Sequence, residues 1–536
     1  MTPIAIILLA LQLQPRVEAS SLPTVSIDSG VLVGSTSSPV NRFLGIPFAE
    51  APVRFERAEP ARKWDGVYNA TQHKPACFQS FRDPEDYRQR TMKWFNSPPP
   101  PNGESEDCLY LDVYAPADAA PASKAVMFWI YGGNFQFGAG SLPLYDGSSI
   151  VSNQDVVVVN INYRTNIFGF PGSSAKPQSE QNLGLTRDSR YSLLDQRLAL
   201  DWVQRNIHAF GGDPKRVTLF GESAGGGSVD MLVLNPPDPI PFAGAIMQSG
   251  QSAISRPNHD SATSWKKLIK ATNCQGHDDN GLECIRALPA EKIRDVVQRK
   301  KLPFFPIYDN GTTWSSTGRV DRRNPASRIA RVPVLMGSNA DEATVFYYGL
   351  NQARSGLHLQ VPGLTGDSLN KLLGLQSPNP GLSSVNRQLL TVIGDFAFTC
   401  PVKVVGEESA SVGIPSWRYI FDAAFANHEA FPGSGAWHSS EIDLVFGTYQ
   451  RQGATAYQEK LSRAMQTAWA DFAKDPSRGP GWPSLPHNVA VFGAGVRPDK
   501  GCEPSTPAID VNDASKYDGK CWLFKPIYDA ATLTRR

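Results

Sequence analysis

The 536-residue chain lacks an excess of charge of either sign: 52 Lys and Arg stand against 51 Asp and Glu, a formal net charge of +1. Its basic residues are scattered, which argues against nucleic acid as the main partner and implies no acidic membrane surface. None of its seven cysteines forms C-x-x-C or a Cys/His cluster at zinc spacing, which puts disulfides ahead of metal. No metal and no cofactor is expected. There is no internal repeat and no low-complexity block beyond "SPPPPNGES", which reads as a stiff surface loop. Long apolar runs are missing too. Ile4 to Leu11 is too short to span a bilayer, no later segment is long and apolar enough, and the tail "YDAATLTRR" is no lipid-anchor signal. The opening "MTPIAIILLALQLQPRVEA" ends at the small-x-small step Val17-Glu18-Ala19. Residues 1–19 are therefore expected to be a signal peptide, although no Lys or Arg precedes the apolar run, and a secreted chain without a stable membrane anchor follows.

What is present is a globular composition, 41% hydrophobic, 10% aromatic and only 19% charged. Neighbours in sequence suggest disulfides Cys77–Cys108 and Cys274–Cys284, leaving Cys400, Cys502 and Cys521 with one free or intermolecular thiol among them. Asn69-Ala70-Thr71 and Asn310-Gly311-Thr312 are N-glycosylation sequons. "TVSIDSGVLVGS" reads as a hairpin. Lys124–Tyr131 and Asp155–Tyr163 are continuous apolar strands of the kind buried on both faces. Tyr191–Phe210 carries apolar residues at helical spacing and stops at Gly211-Gly212. Short apolar strands follow at Arg216–Phe220, Gly244–Gln248, Val332–Met336 and Trp417–Phe421, with a late amphipathic helix at Tyr457–Phe472. Strands alternating with helices predict an α/β fold, one doubly wound, mostly parallel sheet with long loop insertions, forming a single domain over residues 20–536.

The strongest chemical signal is "RVTLFGESAGGGSV". Gly221-Glu222-Ser223-Ala224-Gly225 is G-x-S-x-G between a strand and a helix, the setting of a nucleophile elbow. The bland alternative is a glycine turn that happens to hold a serine. A serine nucleophile needs a base, and the base an orienting acid, in the chain order Ser, Asp/Glu, His. Of the histidines after Ser223, His438 lies on a loop leaving a late strand; its rival His428 lacks a flanking glycine loop and reads as a surface residue. "VPVLMGSNADEATVF" offers Asp341 and Glu342, which spacing alone does not separate.

These segments, together with "FLGIPFAEAP", "SEDCLYLDVYAP", "VVVNINYRTNIFGF", "AIMQSG" and "HSSEIDLVFG", resemble the type-B carboxylesterase/lipase family. That family includes the cholinesterases and secreted fungal lipases, and the likeness covers nearly the whole mature chain. It implies an α/β-hydrolase fold and a serine carboxylic-ester hydrolase working through an acyl-enzyme on a small-molecule ester. Ser223 would be the nucleophile, Glu342 the acid and His438 the base. Glu222 and Glu441 would belong to a buried network beside them. The resemblance supports the first two disulfides and matches Cys521 to a family cysteine, with Cys400 and Cys502 both open as its partner. It reads Tyr131-Gly132-Gly133-Asn134-Phe135 as an oxyanion loop with donors at Gly133, Asn134 and Ala224. A phosphate loop is excluded there by the absence of G-x-x-x-x-G-K-[ST]. Asn134 replaces a usual glycine, keeps the backbone donor and tolerates positive φ, so an intact hole with a narrowed or more polar pocket is expected. Trp94 lies near the cation-binding tryptophan of cholinesterases, but the proline insertion makes a core or rim role the better reading. With Lys300 and Leu302 in place of acyl-pocket aromatics, a choline-ester specialist is not expected. A lipase with a mobile lid, a biosynthetic enzyme and a non-catalytic binding module are the alternatives. Sequence sets no oligomeric state.

Overall fold

A computed structural model describes residues 22–81, 84–96, 98–172, 191–252, 261–276, 279–308, 313–346, 348, 382–499 and 505–533. The expected signal peptide, Asn310 and Cys502 lie outside them. Its centre is an eleven-stranded sheet. In chain order the strands are β1 (Ser35–Ser37), β2 (Val40–Pro47), β3 (Tyr110–Pro116), β4 (Lys124–Ile130), β5 (Val157–Ile161) and β6 (Gly212–Glu222). They continue with β7 (Gly244–Gln248), β8 (Val334–Asn339), β9 (Ser416–Ala423), β10 (Asn488–Val496) and β11 (Ile509–Asp513). Their order across the sheet is β11-β10-β9-β8-β7-β6-β4-β5-β3-β2-β1. From β5 to β10 all neighbours are parallel, and antiparallel strands close both edges. Every residue of β5, β7 and β8 is buried, as a parallel sheet covered by helices requires. The sheet agrees with the sequence expectation, and the hairpin Thr24–Ile27/Gly30–Val33 stands apart from it.

Two groups of helices pack on the sheet. In one, Ala456–Lys474 contacts Ser148–Gln154 and Ile442–Phe446; in the other, Gly318–Arg323 contacts Ala224–Leu234 and Cys400–Ser411. The long helix starts where Thr455 caps it, its side chain accepting from Gln458 N–H at 3.1 Å. Tyr191–Asn206 ends in a 3₁₀ turn, Ile207–Phe210, stopped by Gly211 at φ 86°. One expectation needs amending: Leu389–Ser411 is long and apolar enough, by composition, to cross a membrane. Of its most apolar window 61% is buried within the fold, so its apolarity serves packing.

Register decides where chemistry can occur. Glu222 pairs with Gln248, Gln248 with Gly337, and Asn339 with Phe421. The carboxyl ends of β4, β6, β7, β8 and β9 therefore finish along one edge, where open α/β sheets gather their functional loops.

Candidate active site

Ser223 follows β6 and opens the helix Ala224–Leu234 with φ 55° and ψ −119°. A residue with a Cβ holds such a conformation at a cost of about 1–3 kcal/mol, and only where its surroundings over-determine it. Here they do. Ser223 N–H donates to Gln248 C=O at 2.8 Å, and its carbonyl accepts from Gly227 N–H at 2.9 Å. A Cβ on Gly225 would lie 1.9 Å from Ile130 O, and one on Gly250 1.9 Å from Ser223 O. The turn is this tight because backbone packs directly on backbone. Ser223 is half-buried, while Glu222 before it is buried. Ala224 is the first helical residue, so its N–H has no partner within the helix.

Glu342 lies just past β8 and His438 on the excursion that follows β9. His438 Nδ1 and Glu342 Oε2 are 2.6 Å apart, and Glu342 Oε1 also accepts from Asn339 N–H at 2.8 Å. His438 Nε2 stands 3.1 Å from Glu222 Oε1 without forming a hydrogen bond, and none joins it to Ser223. Glu222 Oε1 accepts from Ser439 Oγ at 2.6 Å. Glu441 accepts from Gln248 Nε2 at 3.0 Å and Asn339 Nδ2 at 2.7 Å. All of these carboxylates are buried. Burial disfavours a charged imidazole, but Glu222 and Glu342 outweigh it and raise the His438 pKa to about 9. Burial also pushes Glu222 upward against the pull of His438, and raises Glu441 despite its two amide donors.

The pair that spacing left open divides cleanly in space. Glu342 meets the imidazole, whereas Asp341 Oδ2 accepts from Ala436 N–H at 2.9 Å and Asp341 N–H donates to Ala436 C=O at 2.9 Å. Asp341 thus clamps the loop that carries His438. His428 is partly exposed and meets a different carboxylate: its Nε2 lies 3.0 Å from Asp443 Oδ2 and its ring packs on Trp437 at 5.5 Å. The roles of Asp341, Asn339 and Gln248 escaped sequence reading, because short polar residues at strand ends carry no distinctive spacing.

In the glycine loop, Gly133, Asn134 and Phe135 have φ 97°, 57° and 59°. Asn134 occupies the left-handed region that its residue type tolerates. Phe346 and Phe398 pack on the His438 ring at 4.9 and 4.7 Å, and Phe95 at 6.4 Å. Trp94 instead joins Tyr348 and Phe431, both at 5.7 Å, and donates to Ala430 C=O at 3.1 Å. Three disulfides join Cys77–Cys108, Cys274–Cys284 and Cys400–Cys521; the third selects Cys400 as the partner of Cys521. Asn69 is exposed, and its Oδ1 accepts from Thr71 N–H and Oγ1 at 3.1 and 2.7 Å.

Comparison with known proteins shows the family of the chain. The carboxylesterase family model matches residues 21–496. The chain is 35% identical over 485 residues to an acetylcholinesterase of Bungarus fasciatus, covering 83% of this chain and 77% of the relative. To a cholinesterase of Mus musculus it is 33% identical over 473 residues, covering 81% and 75%. To an acetylcholinesterase of Electrophorus electricus it is 33% identical over 505 residues, covering 82% and 76%. A glycine-bounded serine after a central parallel strand and a histidine gripped by a buried glutamate thus stand in a chain that belongs to the carboxylesterase family, carboxylic ester hydrolases of the α/β-hydrolase fold that act on small-molecule esters.

Proposed function

We propose that the protein is a secreted serine esterase that cleaves uncharged carboxylic esters through an acyl-enzyme. Ser223 is the nucleophile, His438 the base and Glu342 the acid that orients it. The observation that carries this reading is the 2.6 Å contact between His438 Nδ1 and Glu342 Oε2, which leaves Nε2 as the nitrogen for the serine proton. Ser223 Oγ attacks the ester carbonyl as its proton passes to His438. The imidazolium returns that proton to the alcohol oxygen as the C–O bond breaks. Water, deprotonated by His438, then releases the acid. The amides of Gly133, Asn134 and Ala224 receive the oxyanion at each tetrahedral stage. Glu222 and Glu441 favour the charged imidazole during both.

The preference for an uncharged ester rests on Trp94, whose ring is engaged by Tyr348 and Phe431. Three disulfides suit an oxidising compartment, and exposed Asn69 suits glycosylation. Fluorophosphonate labelling tests the assignment: wild type is expected to label and Ser223→Ala to stay unlabelled. Equal labelling of both would overturn it. An ester panel graded in chain length then separates the soluble-ester reading from a lipase, which would favour emulsified long-chain substrates.

A further inference from the structure

The loop that bears two of the proposed oxyanion donors is held from outside. Its residues Asn134 and Phe135 take left-handed conformations, which asparagine tolerates but which cost roughly 1–2 kcal/mol for an aromatic residue such as Phe135. Within it, Gln136 and Phe137 N–H donate to Gly133 C=O at 2.9 and 3.2 Å, folding the chain back on itself. Gly133 then rests on the peptide that joins Phe137 to Gly138: a Cβ on Gly133 would lie 2.2 Å from Phe137 O. The N–H of that same peptide, on Gly138, donates to Gln79 Oε1 at 2.7 Å. In a trans peptide the C=O and N–H point in opposite directions. Gln79 therefore holds one edge of a peptide whose opposite edge backs Gly133.

Gln79 is 1% exposed. Its N–H and Nε2 both face Glu104 at 3.4 Å, and Glu104 pairs with Arg294 at 3.2 Å. The next residues follow the loop as well. Ser80 N–H donates to Gln136 C=O at 2.8 Å, and the Phe81 ring stacks on Phe137 at 4.9 Å. All three residues come just after Cys77, which the disulfide to Cys108 fixes in place.

We propose that Gln79 is a positioning residue for ester cleavage, pinning the Phe137–Gly138 peptide so that the Gly133 amide stays aimed at the oxyanion. This rests on the reading of Gly133 as an oxyanion donor. Without the Gln79 acceptor, the Gly138 N–H is buried and unpaired, and rotation of its peptide toward another partner withdraws the carbonyl behind Gly133. A planar ester scarcely senses that change; a tetrahedral oxyanion does.

Gln79→Met removes the acceptor at similar length. Its kcat is expected to fall about 10- to 100-fold, less than or equal to complete loss of a donor, with KM within about twofold. Affinity for a trifluoromethyl ketone, which forms a tetrahedral adduct on the serine, is expected to fall in proportion to kcat/KM. Binding of the product carboxylate should not change. The double variant Gln79→Glu/Glu104→Gln exchanges amide and carboxylate, restores the acceptor and is expected to recover most of the rate. Should Gln79→Met not fold, Glu104→Gln alone, which only loosens the grip on Gln79, gives a smaller loss of the same kind. Unchanged kcat and ketone affinity in a folded variant would overturn the proposal, as would a loss that appears in KM alone. A wild type that neither labels nor cleaves esters would instead defeat the esterase reading beneath it.

Discussion

At the scale of the residue, the site is a problem of charge. One imidazole lies among three buried glutamates, with Glu222 and Glu342 both within 3.1 Å of it. Carboxylates favour the protonated ring, so the base is neutral only toward high pH, about 9 for His438. Glu222→Gln removes one of these charges, and the sign follows: the His438 pKa falls and the acid limb of the rate–pH profile moves to lower pH. Hydrolysis rates across a pH series check this, and an unmoved limb would show that Glu222 does not act on the imidazole. Asn134 poses the complementary question of shape. Its φ of 57° is one that glycine adopts freely, so Asn134→Gly should fold and retain the oxyanion donor. The expected change is in kcat/KM ratios across esters of graded bulk, in favour of larger groups. Unaltered ratios would make the asparagine a tolerated substitution without influence on specificity.

At the scale of the element, sequence legibility followed physical strength. Continuous apolar runs such as Lys124–Tyr131 had only one environment that suits them, between two helical layers, and the structure places Lys124–Ile130 there as β4. Boundaries were less legible. β6 begins at Gly212 rather than Arg216, its first residue pairing with Lys124 before a register irregularity, because backbone pairing there does not depend on apolar side chains. The third disulfide was only half legible, since the resemblance marked Cys521 but left Cys400 and Cys502 open as its partner. Cys400 and Cys521 lie 121 residues apart, and only the packing of the last helix, Cys521–Leu533, against Val392, Phe396 and Val404 brings them together. Closing so long a loop contributes about 4–5 kcal/mol in the chain-entropy model. Cys400→Ala/Cys521→Ala should lower the thermal midpoint while ester turnover at low temperature persists. An unchanged midpoint would mean that the bond adds nothing to the native fold.

At the scale of the molecule, one edge of the sheet collects what the chain scatters. Gly133, Ser223, Glu342 and His438 span more than half of the sequence, yet β4, β6, β8 and β9 end at a common level. G-x-S-x-G was legible because its glycines answer a local steric demand, seen in the 1.9 Å that would separate a Gly225 Cβ from Ile130 O. The choice of Glu342 over Asp341 needed either family resemblance or three dimensions, since both carboxylates follow the same strand and only side-chain direction separates them. Gln79 was silent in sequence, because nothing in "CFQS" records a partner fifty-nine residues away.

The central claim is a covalent one, that the ester's acyl group passes to Ser223. Rapid mixing with a nitrophenyl ester, followed by acid quench and peptide mass analysis, reads it directly. The expected result is a burst of nitrophenol of about one equivalent per chain, with the acyl mass on the peptide containing Ser223 and none in Ser223→Ala. Turnover with no acylated peptide, or an acyl group on any other residue, would contradict it.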